Sequence, residues 1–202
     1  MKTGLQRMVL ATALAVGPVS PAWAASFDAF FPTFLKHAGG FVDDPADPGG
    51  AMNKGVTMQR FQQTSKELLG IPPTLDNLKA LSDAQAGIIH KATEWDKVAG
   101  DQIALQELAN VVFDFYAEGY AGDAIKLLQS TLNDLGASPK VSLSSNWTPA
   151  TLTALNKADQ KVVYAKYKDG RKKYYNDLVA RRPELGKYLK GWIARVDSFP
   201  KL

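Results

Sequence analysis

The side chains best suited to chemistry are concentrated in residues 36–57. This segment contains one histidine, three aspartates, one asparagine and one threonine among five glycines and two prolines. The carboxylates of Asp43, Asp44 and Asp47 could act as acids or bases, or accept hydrogen bonds from a polar substrate. The alternative is that these aspartates only build turns around the neighbouring prolines and glycines. The segment therefore predicts a structured loop that is a candidate for acid–base chemistry.

Other kinds of reactive site find little support in the composition. The chain has two histidines and no cysteine, which argues against a zinc site. No segment has the spacing of a phosphate-binding loop, and no serine, histidine and aspartate are spaced as a nucleophile motif requires. We therefore expect no metal and no cofactor.

The elements that would position this loop are helices. Ser26 can cap a first helix with an aromatic face, and Gly39-Gly40 would end it. Thr57 can cap the next helix, which runs through Phe61, and Asp83 begins another. Residues 41–56 between the first two helices read as a structured loop, because prolines and glycines interrupt any helical period.

The second half of the chain also has helical periodicity. Apolar residues recur at helical spacing up to Gly119 and again up to Gly136. Residues 137–147 read as a loop or short hairpin. Thr148 can then cap a helix that begins at Pro149, a long Tyr- and Lys-rich helix runs to about residue 180, and Pro183 starts the last one. The pattern predicts an all-α protein with a boundary near residue 100.

The N-terminus has the features of an export signal. Lys2 and Arg7 form a positive region, residues 8–17 are apolar, and residues 22–24 offer a small-x-small cleavage site. The apolar run is shorter than the ~20 residues of a spanning helix. We expect residues 1–24 to be a signal peptide, cleaved near Ala24 or Ala25, and the mature chain to be periplasmic or secreted.

The C-terminal end is strongly basic. Residues 161–202 contain twelve Lys or Arg against four acidic residues, whereas the whole chain carries a net charge of +4. On an exported protein such an end would attract anionic wall polymers or a membrane surface. The alternative is a solvated helix face. We expect no nucleic-acid partner.

The segment Lys36-His37-Ala38-Gly39-Gly40, continued by residues 41–57, resembles the signature of glycoside hydrolase family 108. These are N-acetylmuramidases, secreted or phage-type lysozymes that cut the glycan strand of peptidoglycan. In that family a glutamate precedes the Gly-Gly pair, and here the position is Ala38. Met52 is a second departure, since family members often carry threonine there.

The resemblance implies a lysozyme-like helical fold and a set of site residues. Ala38 stands at the position of the general acid, and Asp47 resembles the second carboxylate. Glu67, Glu94 and Glu118 are the other acids considered, but none matches the motif. The implied substrate-binding residues are His37, Gly39, Gly40, Phe41, Asp44, Asn53, Thr57 and Trp95. For Thr57 a helix cap, and for His37 a surface position, are the competing interpretations.

The second half resembles the predicted peptidoglycan domain that follows the catalytic unit in this family. The resemblance lies in residues 95–96, 100–102, 112–114, 124–129 and 189–192. It implies a muramidase-like domain over residues 25–100 and a helical peptidoglycan-binding domain over residues 101–202.

These features predict an exported protein directed at peptidoglycan, with hydrolysis absent or very weak because alanine has no ionisable group. Two origins of Ala38 remain open: a natural loss, favoured by Met52 and the retained leader, or a substitution that inactivates a muramidase. The competing function is a secreted helical adaptor or secretion accessory protein that binds a protein partner rather than glycan.

Overall fold

A computed structural model describes residues 24–43 and 50–202. The predicted signal peptide up to residue 23, Asp44 and Asp47 lie outside these residues. The α-helices are α1 (Phe27–Ala38), α2 (Met58–Leu69), α3 (Leu75–Lys79), α4 (Asp83–His90), α5 (Gln106–Phe115), α6 (Ala121–Asp134), α7 (Pro149–Lys157), α8 (Gln160–Arg181) and α9 (Gly186–Ser198). Two strands, β1 (Met52–Asn53) and β2 (Val56–Thr57), lie between α1 and α2. The predicted all-α class is confirmed.

Helix α1 begins and ends where the sequence predicts. The hydroxyl of Ser26 accepts a hydrogen bond from the Ala29 amide at 3.4 Å, which satisfies one of the free N–H groups of the first turn. At the other end Gly39 has a φ of +72°, and its N–H donates to the Leu35 carbonyl at 3.0 Å. Glycine adopts this backbone conformation without the cost that a Cβ would add.

A short hairpin follows α1. Met52 pairs with Thr57 and Asn53 with Val56, and the turn residues Lys54 and Gly55 both have positive φ, as a two-residue I′ turn requires. Val42 bridges to Met52 through two backbone hydrogen bonds of 2.8 Å. The loop predicted over residues 41–56 therefore contains a small β-structure that holds it against α1.

The core of the described residues spans both halves of the chain. The rings of Phe27, Phe30 and Phe34 lie 5.7, 6.1 and 5.0 Å from that of Phe113 on α5. Phe30 also lies 5.8 Å from Phe199, just beyond α9. Helix α1 is thus anchored in the C-terminal half, and its last turn projects from that base toward the hairpin.

Two local details of the C-terminal half could not be read from helical periodicity. The stretch from Thr148 to Arg181 is divided at Asp159, whose carboxylate caps α8 by accepting from the Lys161 amide at 2.9 Å. A single 3₁₀ turn, Pro183–Leu185, precedes α9. Residues 137–147 form a loop without strands.

Trp95 is packed so closely that Gly100 has no room for a side chain. A Cβ on Gly100 would overlap the indole ring of Trp95, which has no exposed surface. We expect Gly100→Ala to destabilise the fold by about 1–3 kcal/mol, measured by denaturant unfolding. Gly191 is the matched control, because it lies in α9 with open space around its Cα, and Gly191→Ala should be neutral or stabilising. Equal effects of the two substitutions would contradict this packing.

Within residues 24–43 and 50–202, no helix is both long and apolar enough to cross a membrane.

Candidate functional site

Ala38 is the last residue of α1 and faces the hairpin. Its methyl carbon lies 3.4 Å from the position that a Cβ on Gly55 would take. The next residues, Gly39 and Gly40, are exposed, and a Cβ on either would meet nothing within 4 Å. The end of α1 is therefore supported on one side and open to solvent beside it.

The support beneath the hairpin turn is His90, at the end of α4. Its Nε2 is hydrogen-bonded to the Lys54 carbonyl at 2.8 Å, so it donates there, and its ring lies 3.2 Å from the position of a Gly55 Cβ. The ring also packs edge-on against Phe34 at 4.8 Å. A side chain at residue 55 would press on the imidazole, so glycine is required there by both space and backbone conformation.

His90 belongs to a buried charge cluster. Its Nδ1 lies 2.5 Å from one carboxylate oxygen of Glu94, and Arg60 on α2 donates to the other. Neither His90 nor Glu94 has any exposed surface. A buried carboxylate with both oxygens occupied does not reach a sugar in solvent, so Glu94 is not placed to act as a substitute acid.

Glu94 lies in a π-helical turn, Lys91–Trp95. Tyr116, close to Glu94, begins a kinked segment, Tyr116–Tyr120, in which Gly119 has a φ of +96°. Burial raises the pKa of Tyr116, and the nearby charge of Glu94 raises it further. The Tyr116 phenol therefore stays protonated as the neutral neighbour of this cluster. Such π turns are rare and frequently occur at functional sites.

A second cluster of charged side chains ties α5 to α8 and α9. Asp114 on α5 accepts from Arg171 at 2.7 Å and from Arg195 at 2.7 Å. Glu118 accepts from Arg171 at 2.6 Å and from the phenol of Tyr175 at 2.5 Å. Glu118 is therefore engaged in the fold and is also not placed as a substitute acid.

The geometry of this cluster keeps Asp114 ionised. Burial alone would raise the pKa of the Asp114 carboxyl, but the charges of Arg171 and Arg195 and their hydrogen bonds hold it below its usual range. The Arg195 guanidinium lies 5.8 Å from the Phe34 ring, one helical turn before Ala38. The cluster thus holds Arg195 against the last turns of α1.

A groove of about 830 Å³ lies between α1 and α4. Its floor includes Phe31 and Ile88, and Lys54 and Asp83 form an ion pair of 2.5 Å at its edge. Gly39 and Gly40 reach its rim, whereas Ala38 does not line it. The open surface beside the glycines is continuous with this groove.

The structure separates the predicted site residues into two groups. The first group lies around the end of α1 and is exposed; it consists of His37, Gly39, Gly40 and Phe41. Phe41 retains 37% of its surface. Lys79 lies 5.2 Å from the Phe41 ring and limits its movement. These four residues form an accessible strip beside Ala38.

Three other predicted substrate contacts have structural roles. Asn53 is buried, and its amide donates to the carbonyls of Leu78 and Lys79 at 2.8 and 3.0 Å. Thr57 accepts from the Arg60 amide at 3.2 Å as the cap of α2. Trp95 is fully buried, and its indole N–H donates to Asp101 at 2.6 Å. The Asn53 and Trp95 side chains therefore face the protein interior in this structure.

Sequence reasoning missed the Arg60–Glu94–His90 cluster as a unit. The four-residue spacing of His90 and Glu94 on one helix is a readable signal, since side chains at i and i+4 meet. The partner on α2 gives no such signal. Among the described residues, no group of three or more potential ligands is arranged to hold a metal ion.

An all-helical fold whose first helix ends over a short hairpin defines a lysozyme-like protein. The model of the glycosyl hydrolase 108 family matches residues 31–119, and that of a predicted peptidoglycan domain matches residues 123–197. Residues 31–119 of the chain therefore match the glycosyl hydrolase 108 family, and a match to the predicted peptidoglycan domain follows them.

A solved structure supports the same assignment. The structure of SagA from Brucella abortus is similar to this chain with a TM-score of 0.68 and 26% identity, over 85% of this chain and 89% of SagA. No curated protein matches the chain significantly. Both family models are those of proteins related to peptidoglycan, so the function of this chain is directed at glycan.

Proposed function

We propose that this protein is exported and binds the glycan strand of peptidoglycan without cutting it at an appreciable rate. The observation that carries the proposal is Ala38. It occupies the end of α1, beside an exposed strip and over the hairpin, where the family has its general acid.

Glycoside hydrolysis needs a carboxylic acid that protonates the leaving oxygen as the bond breaks. A methyl group cannot donate a proton. Glu94 and Glu118 are held by arginines, and Glu67 lies on the exposed surface of α2. The scaffold therefore keeps a place for the sugar while lacking the group that starts the reaction.

The proposed contacts are the accessible strip, His37, Gly39, Gly40 and Phe41. Phe41 offers an apolar face to a sugar ring, and the two glycines allow the backbone to approach closely. Asp47 stays the proposed second carboxylate, with Asp44 as a contact, on the sequence resemblance alone. Asn53 and Trp95 are no longer included.

Export and location follow from the same assignment. Peptidoglycan lies outside the cytoplasm, and the N-terminal segment has the charge and apolar pattern of a signal peptide. The basic α8 and α9 would add attraction to anionic wall components, a contribution that salt should weaken.

Sedimentation with purified sacculi tests the proposal. We expect the mature chain to co-sediment with sacculi and to release no reducing ends over hours. At 1 M salt the Debye length is only about 3 Å, so a purely electrostatic attraction would be lost. Binding through direct contacts with the glycan should persist under this condition.

A chain that stays in the supernatant at every ionic strength would contradict glycan binding. If the chain then captured a specific protein, the adaptor function would replace glycan binding as the proposed function. Release of reducing ends by the given chain would refute the claim of inactivity.

A further inference from the structure

A second aromatic surface lies far along the chain from the end of α1. The kinked segment Tyr116–Tyr120, α8 and α9 bring five aromatic rings together. They are Tyr120, Tyr174, Tyr175, Tyr188 and Trp192. We call them the C-terminal aromatic cluster.

The rings are arranged in layers. Tyr175 is fully buried and stacks on Trp192 at 5.1 Å with an interplanar angle of 22°. Trp192 is half-buried and lies 5.7 Å from Tyr188, which retains 47% of its surface. Tyr120 meets Trp192 at right angles, 6.4 Å away. The cluster therefore has a buried back and an exposed aromatic edge.

Hydrogen bonds fix the back of the cluster. The Tyr175 phenol donates to Glu118 at 2.5 Å and accepts from Arg171 Nε at 2.9 Å. The Tyr174 phenol donates to Asp123 at 2.7 Å. The exposed edge of the cluster therefore packs on a back whose rings are held in place.

The surroundings of the exposed edge are basic. The Lys187 ammonium lies 4.8 Å from the Tyr188 ring. The positive charges of Arg182 and Arg181 lie close enough to lower the pKa of Tyr120 and Tyr174, respectively, against the larger effect of burial. The edge thus combines apolar ring faces with positive charge.

Peptidoglycan has the matching chemistry. A pyranose ring presents an apolar face of C–H groups that packs on an aromatic ring, while its hydroxyls remain available to polar neighbours. The stem-peptide carboxylates of the wall carry negative charge, and so do lactyl carboxylates that bear no peptide. A buried core function explains Tyr175 but not the exposure of Tyr188 or the lysine beside it.

We propose that Tyr188 and Trp192 form a glycan-binding subsite of the C-terminal domain, separate from the end of α1, with Lys187 facing the carboxylates of the strand. This inference rests on the proposed function and specifies which surface of residues 123–197 contacts the wall. If one glycan strand occupied both this subsite and the end of α1, the effective concentration of the strand at the end of α1 would rise.

Tyr188→Ala tests the subsite because Tyr188 is exposed and its removal leaves the charge unchanged. We expect sacculus binding and binding to a soluble N-acetylglucosamine–N-acetylmuramic acid tetrasaccharide to weaken about 2- to 10-fold. Tyr188→Phe should bind nearly as wild type, since it retains the ring. Adding the tetrasaccharide should change the tryptophan fluorescence of the wild type, and Trp192→Phe should abolish that change.

Trp147→Ala is the matched control, because Trp147 is half-buried and lies outside the cluster. It should leave sacculus binding unchanged, and circular dichroism should show that all variants are folded. If Tyr188→Ala binds sacculi as tightly as the wild type, the proposed subsite is overturned and the proposed function is not affected. Failure of the wild type to bind sacculi would instead overturn the proposed function, and the subsite with it.

Discussion

Ala38→Glu is expected to raise peptidoglycan hydrolysis by about 10²–10⁴-fold over the given chain, the usual contribution of general acid catalysis. The introduced carboxyl would stand at the C-terminal end of α1. Partial negative charge on the last helical carbonyls disfavours a carboxylate there, so the pKa of the new group should be raised toward the working pH.

The local structure has room for this side chain. Gly39 and Gly40 leave open space beside Ala38, and the base of α1 is fixed by Phe113 and Arg195. The new carboxyl would therefore extend from a rigid helix end into an accessible strip, as positioning of a catalytic group requires. Loss of turbidity and release of reducing ends measure the effect.

Ala38→Gln is the matched control, because glutamine has nearly the same shape and no acidic proton. Ala38→Glu combined with Asp47→Asn should lose most of the regained activity if Asp47 is the second carboxylate. Equal hydrolysis by the given chain, the Gln variant and the Glu variant would show that another acid does the work.

Asp114→Asn is expected to destabilise the fold by about 3–5 kcal/mol, the usual cost of removing one partner of a buried ion pair. Asp114 is fully buried and balances the charge of Arg171, which also has no exposed surface. An amide would leave that guanidinium without its main counter-charge. Chemical denaturation at neutral pH measures the difference.

Asp197→Asn is the control for this prediction. Asp197 on α9 pairs with Lys172 on α8, but both side chains are substantially exposed. Solvent screening should make its loss barely measurable. A similar cost for both substitutions would contradict the view that burial determines the importance of Asp114.

The Asp114 carboxyl also predicts how the stability of the fold changes with pH. Because the pKa of Asp114 is lower in the folded state than the ~3.9 of an unfolded chain, its stabilisation is complete above that value. It is lost as the pH falls from about 4 toward the folded pKa. The stability gap between the wild type and Asp114→Asn should therefore narrow in acid.

The sequence by itself determined the local structure and the resemblance to a known family. Ser26, Thr57 and Thr148 were recognisable as caps because a helix start depends on residues within three positions of one another. The signature around Ala38 was likewise readable, since its residues are adjacent in the chain. The missing glutamate needed no structure to be noticed.

Only the tertiary structure decided which polar and aromatic side chains are available. Asn53 and Trp95 look like ligand contacts in the sequence, but residues 25 and 6 positions away, respectively, satisfy them in the interior. Arg60 and Glu94 meet from 34 positions apart, and Tyr120 and Trp192 from still further. Burial and pairing depend on such distant contacts, which no local pattern of residues encodes.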